Sequence, residues 1–306
     1  MLLDQRSGES LCQIGNMRTA LLSLVAAACL SGADVRVDHI TFAGPNLADL
    51  MKMFADAGIP TEYGGRHSNG ITEMALSAFP DGSYLELIAP IAGADASPHY
   101  WWPFMSGKAG PCAWAMRSMD LAPSIARLRG SGIAVHAEKA GRKRPDGVEL
   151  KWETATVGPP PQGSFFPFMI ADETPRDLRV YPQRKPTTTS ISGVRFVVVA
   201  VRNLPEAIAK YRAAFEFGEP QQQDDPRHGA HLAWFPGSPA ILAAPINDDT
   251  WLARRLKQFG EVPCAFIFAS SEMKGSGGDS NWFTNRIIWL DPKTVADARI
   301  GFVAAK

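Results

Sequence analysis

The sequence has no excess charge of either sign: 31 lysines and arginines stand against 31 aspartates and glutamates. Binding nucleic acid or an anionic membrane surface calls for a basic face, so neither is expected as a partner. Cysteine is scarce, four in all with no Cys-x-x-Cys pair, which excludes a cysteine metal site. Serine nucleophile elbows, phosphate-cradling loops and dinucleotide fingerprints are missing as well. The apolar run near the N-terminus covers only residues 19–30, short of the roughly 20 residues that span a bilayer.

What is present is a chain of 306 residues, 45% hydrophobic and 20% charged, long enough for two globular domains. Its 24 prolines and 27 glycines imply many turns. The expected partner is a small-molecule substrate or ligand, with no integral membrane segment in the mature chain; a homo-oligomer stays open. At the start, Met17-Arg18, an apolar stretch and Ser31-Gly32-Ala33 have the layout of a secretory leader, with residues 1–16 as an upstream extension from a misplaced start. Export would make the protein secreted or periplasmic. Ala26-Ala27-Ala28-Cys29 resembles a bacterial lipoprotein box in which Cys29 would carry the lipid, although the alanine three before the cysteine is atypical there. The alternative for this segment is a buried N-terminal helix. Removing residues 1–33 leaves Cys112 and Cys264, expected as buried unpaired thiols.

From Val37 the pattern reads as strand (37–42), helix (46–57), strand and loop (58–69), and two further strands (71–79 and 83–88) around the Pro80-Asp81-Gly82 turn. Leu47, Leu50, Met51 and Phe54 follow the spacing of one buried helical face. The order restarts with a strand at 112–117, a helix at 122–130 and strands at 148–157 and 165–171. Residues 181–191 are polar and unpatterned, the composition of a linker. A third unit opens at Ser192, and a fourth, at Pro263, is short enough that its helix or one strand is abbreviated.

Three anchors recur in order at offsets of about 155 residues: Asn46-Leu47 as Asn203-Leu204, Ala89-Pro90-Ile91 as Ala244-Pro245-Ile246, and Pro111-Cys112-Ala113-Trp114 as Pro263-Cys264-Ala265-Phe266. They argue for tandem homologous domains. The expectation is an α+β fold of tandem βαβββ modules, with one domain over 34–180, the linker at 181–191 and a second, degenerate domain over 192–306.

Within the first domain, Val37-Asp38-His39-Ile40 followed by Tyr84-Leu85-Glu86-Leu87-Ile88-Ala89-Pro90 resembles the glyoxalase-like branch of the vicinal oxygen chelate superfamily, the glyoxalase I and dihydroxybiphenyl dioxygenase type. Gly64-Gly65-Arg66-His67 with Gly70 and Thr72, Trp114-Ala115-Met116-Arg117, Arg144-Pro145-Asp146-Gly147 with Leu150 and Trp152, and Pro167-Phe168-Met169-Ile170 are similar to further segments of that branch. Residues 36–172 carry the likeness. Beyond 192 only the architecture and the repeat anchors persist.

The resemblance implies modules curled into a half-open barrel around a divalent metal (Zn, Mn, Fe or Ni), with ligands from the first and last strands of each module. His39 and Glu86 match the first module's two positions. The second module offers Trp114 and Phe168, neither able to ligate, so a metal would need His67 as third ligand. Arg66, His67 and Arg144 are candidates for substrate recognition, with Trp114 and Phe168 as pocket walls. In the second domain the equivalents of His39 and Glu86 are Arg195 or Phe196 and Ile241.

A carboxylate between Leu85 and Leu87 faces solvent or a polar interior; inside, its pKa is expected to be raised, fitting Glu86 as ligand or general base beside His39. The aromatic cluster His99-Tyr100-Trp101-Trp102-Pro103-Phe104 lines an apolar pocket or covers a barrel edge, and His136, His228 and His231 lack ligand-spaced partners. The functional expectation is a glyoxalase-like enzyme of isomerase, lyase or dioxygenase type acting on a small oxygen-rich organic substrate. The alternative is a non-catalytic small-molecule binding protein of the same fold.

Overall fold

A computed structural model describes residues 36–305. The leader-like segment, with Cys12 and Cys29, lies outside the described residues.

In the first domain the elements are β1 (Val37–Ala43), α1 (Leu47–Asp56), β2 (Glu62–Arg66), β3 (Thr72–Ala78), β4 (Tyr84–Pro90), α2 (Trp102–Met105), β5 (Gly110–Arg117), α3 (Ala122–Gly130), β6 (Val135–Lys143), β7 (Glu149–Val157), β8 (Phe168–Asp172) and α4 (Arg176–Val180). The second domain contributes β9 (Ile191–Ala200), α5 (Leu204–Phe215), β10 (Gln221–Asp225), β11 (Ala230–Trp234), β12 (Ala240–Pro245), α6 (Trp251–Phe259), β13 (Pro263–Ser270), β14 (Asp279–Trp282), β15 (Asn285–Trp289) and β16 (Arg299–Ala304). Each domain is one eight-stranded curled sheet, ordered β2-β3-β4-β1-β5-β8-β7-β6 and β10-β11-β12-β9-β13-β16-β15-β14. The tandem α+β architecture of βαβββ modules is therefore present in both halves.

The repeat anchors have local physical causes. Asn46 and Asn203 are N-caps: their side chains accept hydrogen bonds from Asp49 N (3.0 Å) and Glu206 N (3.1 Å), satisfying helix donors that otherwise lack partners. The two Ala-Pro-Ile segments end β4 and β12, which run parallel to β1 and β9. The two Pro-Cys-Ala segments lie on β5 and β13, whose thiols are buried and free.

Three strands that hydrophobic patterning does not mark, β6, β10 and β14, are sheet-edge strands. They carry sequences such as VHAEKAGRK and QQQDD, and polar side chains on an edge discourage pairing with another chain. The fourth module lacks its helix, because only eight residues, 271–278, connect β13 to β14.

One core cluster crosses both domains, from Phe42, Phe54 and Trp114 to Tyr211 and Phe266. Across the domain boundary Asp81 N donates to Ser192 O (3.1 Å) and Val194 N donates to Ser83 Oγ (3.0 Å). A Cβ at Gly193 would lie 2.0 Å from Asp81 Oδ2, so any larger residue there would have to displace the Asp81 carboxylate.

Candidate active site

The interior of the first barrel holds a cavity of about 300 Å³, at the lower end of small-molecule sites. Strand β1 supplies His39 and β4 supplies Glu86, as the register Thr41↔Glu86 and His39↔Tyr84 requires. Between Val37↔Met116 and His39↔Ala115 the ladder slips by one, leaving Asp38 without a counterpart on β5. This bulge breaks the strict alternation of side chains, so Asp38 and His39 meet: His39 Nδ1 lies 2.7 Å from Asp38 Oδ1.

Asp38 is fully buried. Burial alone would push its carboxyl up, but Arg179, His39 and Arg176 hold it well below the usual carboxylate range. Arg179 donates to Asp38 Oδ1 (3.0 Å) and Oδ2 (2.8 Å), to Tyr84 Oη (2.8 Å) and to Asp172; Arg176 also bonds Asp38 and Asp172. An ionised Asp38 must accept a proton from Nδ1, which leaves His39 Nε2 as the atom with a lone pair. The ring is packed between Tyr84, stacked at 4.7 Å, and the edge of Phe168 at 5.3 Å.

Glu86 forms a second pair. Its Oε1 lies 3.2 Å from His67 Nε2, and its Oε2 accepts from Thr41 Oγ1 at 3.1 Å. His67 Nδ1 is 2.9 Å from Thr72 Oγ1, which orients the ring. The expectation of a raised pKa fails: burial does push Glu86 up, but the hydrogen bond and charge of His67, with His39 and Thr41, outweigh it and bring the group down to about 2. Glu86 is thus a fixed negative charge at neutral pH and a weak base.

Of the residues singled out from sequence, His39, Glu86, His67 and Phe168 come together at the cavity. Trp114 does not. It sits opposite Ile40 on the reverse face of the sheet, inside the main core, and Ala115, one residue on, faces the cavity beside Phe168 and Ile170. Arg66 is exposed beside Tyr63 on edge strand β2, away from the cavity. Arg144 is buried but consumed by structure: it donates to the carbonyls of Leu178, Tyr181 and Pro182 and to Asp146, tying the β6–β7 turn to the end of α4.

The cavity also holds residues not marked from sequence as site members. Arg179 lines it, with Asp38 and Arg176 packed behind, and arginines three apart just after Asp172 are a readable spacing. From the aromatic linker, His99 reaches the cavity beside Tyr100 and Trp101. Its Nδ1 accepts from Trp101 N at 3.2 Å, which assigns the proton of the neutral ring to Nε2. His39 and His99 are therefore held in opposite tautomers, one acceptor and one donor.

The donors do not fit the divalent metal that the resemblance implies. His39 commits Nδ1 to Asp38, and Glu86 commits one oxygen to His67 and the other to Thr41. The second module adds Ala115 and Phe168, and among the described residues no three His, Cys, Asp or Glu stand close enough to share an ion. In the second domain the barrel is filled: Phe196 and Ile241 face inward and Trp282 and Trp289 pack among them, leaving about 20 Å³. No helix among the described residues is long and apolar enough to cross a membrane.

Comparison with known proteins returns no curated relative. Among solved structures, a hypothetical protein from Staphylococcus aureus shares the fold at a TM-score of 0.60 and 13% identity, covering 88% of this chain and 98% of that one. Methylmalonyl-CoA epimerase from Mycobacterium tuberculosis matches at 20% identity and a TM-score of 0.34, over 40% of this chain and 93% of its own. A variant of the Streptomyces coelicolor epimerase, in complex with 2-nitronate-propionyl-CoA, matches at 16% and 0.33, over 38% and 96%. Residues 37–215 match the family model for the glyoxalase-like domain, and the chain belongs to that family of the vicinal oxygen chelate fold.

Proposed function

We propose that the chain is a glyoxalase-like enzyme of isomerase or lyase type that moves a proton on a small oxygen-rich organic substrate bound in the first barrel. The observation that carries this reading is the Asp38–His39 pair, a buried carboxylate fixing an imidazole whose free nitrogen belongs to the cavity wall. His39 Nε2 takes a proton from carbon next to a carbonyl, and Asp38 stabilises the imidazolium that forms. His99 Nε2–H donates to the substrate oxygen where negative charge develops. Glu86, ionised and held by His67, adds negative charge to the same cavity.

The test is solvent deuterium incorporation, followed by proton NMR, across a panel of α-hydroxy ketones, 2-oxo acids and hemithioacetals. Wild type is expected to exchange at least one panel member, and His39→Gln to lose roughly 10²–10⁴-fold of that rate. The second reading, a non-catalytic binding protein, is favoured by the apolar half-wall of Trp152, Phe168 and Ile170 and by the filled second barrel. No exchange by wild type, with ligand affinity unchanged in His39→Gln and Glu86→Gln, would select it.

We also propose export, secreted or periplasmic, from the leader-like segment and its Cys29. N-terminal sequencing and mass of the protein from a membrane and a soluble fraction check it: cleavage after Ala33 supports a free protein, and a lipidated Cys29 supports an anchored one.

A further inference from the structure

Most of the buried charged groups in and behind the cavity wall have a close partner. Asp38 and Asp172 are paired with Arg176 and Arg179 behind the wall, and Glu86 is hydrogen-bonded by His67 and Thr41. Arg142, on the inward face of β6, is left over. Its Nη1 donates to Gly64 O at 2.9 Å, and among the described residues no carboxylate lies within ion-pair distance of it. Glu138, four residues earlier on the same face, also lines the cavity, but it is exposed and stands beside His136 at the solvent side, 3.9 Å away. A guanidinium offers five donors, and a partly buried one without an anion is costly. A ligand anion on Arg142 would supply the partner that the guanidinium lacks.

The apolar walls near Arg142 are flat. Trp152 and Phe168 come from the second module, and Tyr100 and Trp101 come from the linker over the mouth. At about 300 Å³ the space suits one ring-sized group with a short polar head rather than an extended molecule. From this leftover cation facing aromatic walls we infer that the cavity takes a small aromatic or similarly planar carboxylate, its carboxylate on the Arg142 guanidinium and its ring between Trp152, Phe168 and Tyr100.

This assignment rests on the reading of the cavity as a small-molecule site, and it names the substrate class. It also gives β6, an edge strand whose polarity otherwise serves only to keep the edge unpaired, a part in recognition.

The test uses the full-length chain and two probes of one shape, benzoate and benzamide, with affinities measured by saturation-transfer NMR and titration calorimetry. Wild type is expected to bind benzoate at least roughly tenfold more tightly than benzamide, the loss expected for one charge-assisted hydrogen bond. Arg142→Gln should abolish that preference while leaving benzamide binding unchanged, and Arg142→Lys should keep part of it. Benzamide bound as tightly as benzoate by wild type, or neither probe bound at millimolar concentration, would overturn the assignment without any variant. An unchanged benzoate affinity in folded Arg142→Gln would overturn it too. Glu86→Gln separates this inference from the catalytic reading: it should bind benzoate at least as well as wild type, because a like charge has been removed, whether or not it still turns over.

Discussion

Asp38 and His39 are neighbours along β1 and partners across the site, with Oδ1 and Nδ1 2.7 Å apart. Successive residues of a regular strand face opposite sides, so this contact exists only because of the bulge opposite Ala115 and Met116. It converts an adjacent pair in the sequence into an oriented base, and it brings Arg176 and Arg179 of α4 behind that base.

Asp38→Asn keeps the shape but removes the charge that holds both arginines. Stability is expected to fall by about 3–5 kcal/mol, the cost of breaking a buried ion pair. Thermal unfolding measures this loss. Nitrogen NMR of the His39 ring separates it from the catalytic effect, because the proton should no longer reside on Nδ1 in the variant.

Acid stability follows from Glu86, whose pKa falls from an ordinary 4.5 to about 2 on folding. A carboxyl lowered in the folded state contributes stability that is present above its unfolded value and is lost as pH falls from about 4.5 towards about 2. Asp38 acts in the same direction. Urea midpoints at about pH 6 and about pH 3 should therefore differ more in wild type than in Glu86→Gln. An equal difference in the two proteins would contradict the Glu86–His67 pairing.

Metal content should be well below one equivalent in protein purified without chelator. His39→Ala should leave it unchanged, because the donors are bonded to one another instead of converging on a point. Elemental analysis of both proteins checks this. A stoichiometric metal lost in the variant would show that His39 and Glu86 exchange these bonds for coordination.

Arg255 on α6 is a buried cation joining the two domains: its Nη2 donates to Pro111 O at 2.6 Å and Pro263 O at 2.8 Å, one carbonyl from each repeat of the Pro-Cys-Ala anchor. Its neighbours are aromatic, Phe104, Trp251 and Phe259, and burial lowers its pKa to about 10. Arg255→Ala should cost about 2–4 kcal/mol through lost packing and two abandoned carbonyls. Arg255→Met, which refills the space, should recover part of the loss. Melting temperatures of the two variants decide it.

Trp114 shows where patterning stopped. It was legible as a core-strand aromatic, but which face it takes depends on the β1–β5 register, and register is set by two strands seventy residues apart. Arg144 likewise carries a motif-like setting in the chain, yet its donors end on the carbonyls around α4. Edge strand β6 was invisible to hydrophobic alternation, and with it Arg142.

By itself the sequence determined the modules, the duplication through its Asn-Leu, Ala-Pro-Ile and Pro-Cys-Ala anchors, and the pair His39 and Glu86, because caps, turns and periodicity are local and short range. Only the tertiary structure decided what those two residues can do. Burial, a bulge and partners far along the chain set the charge of Glu86, the ionised state of the Asp38 that fixes the His39 tautomer, and the setting of Arg142, because strand pairing and α4 bring together residues that the sequence keeps apart.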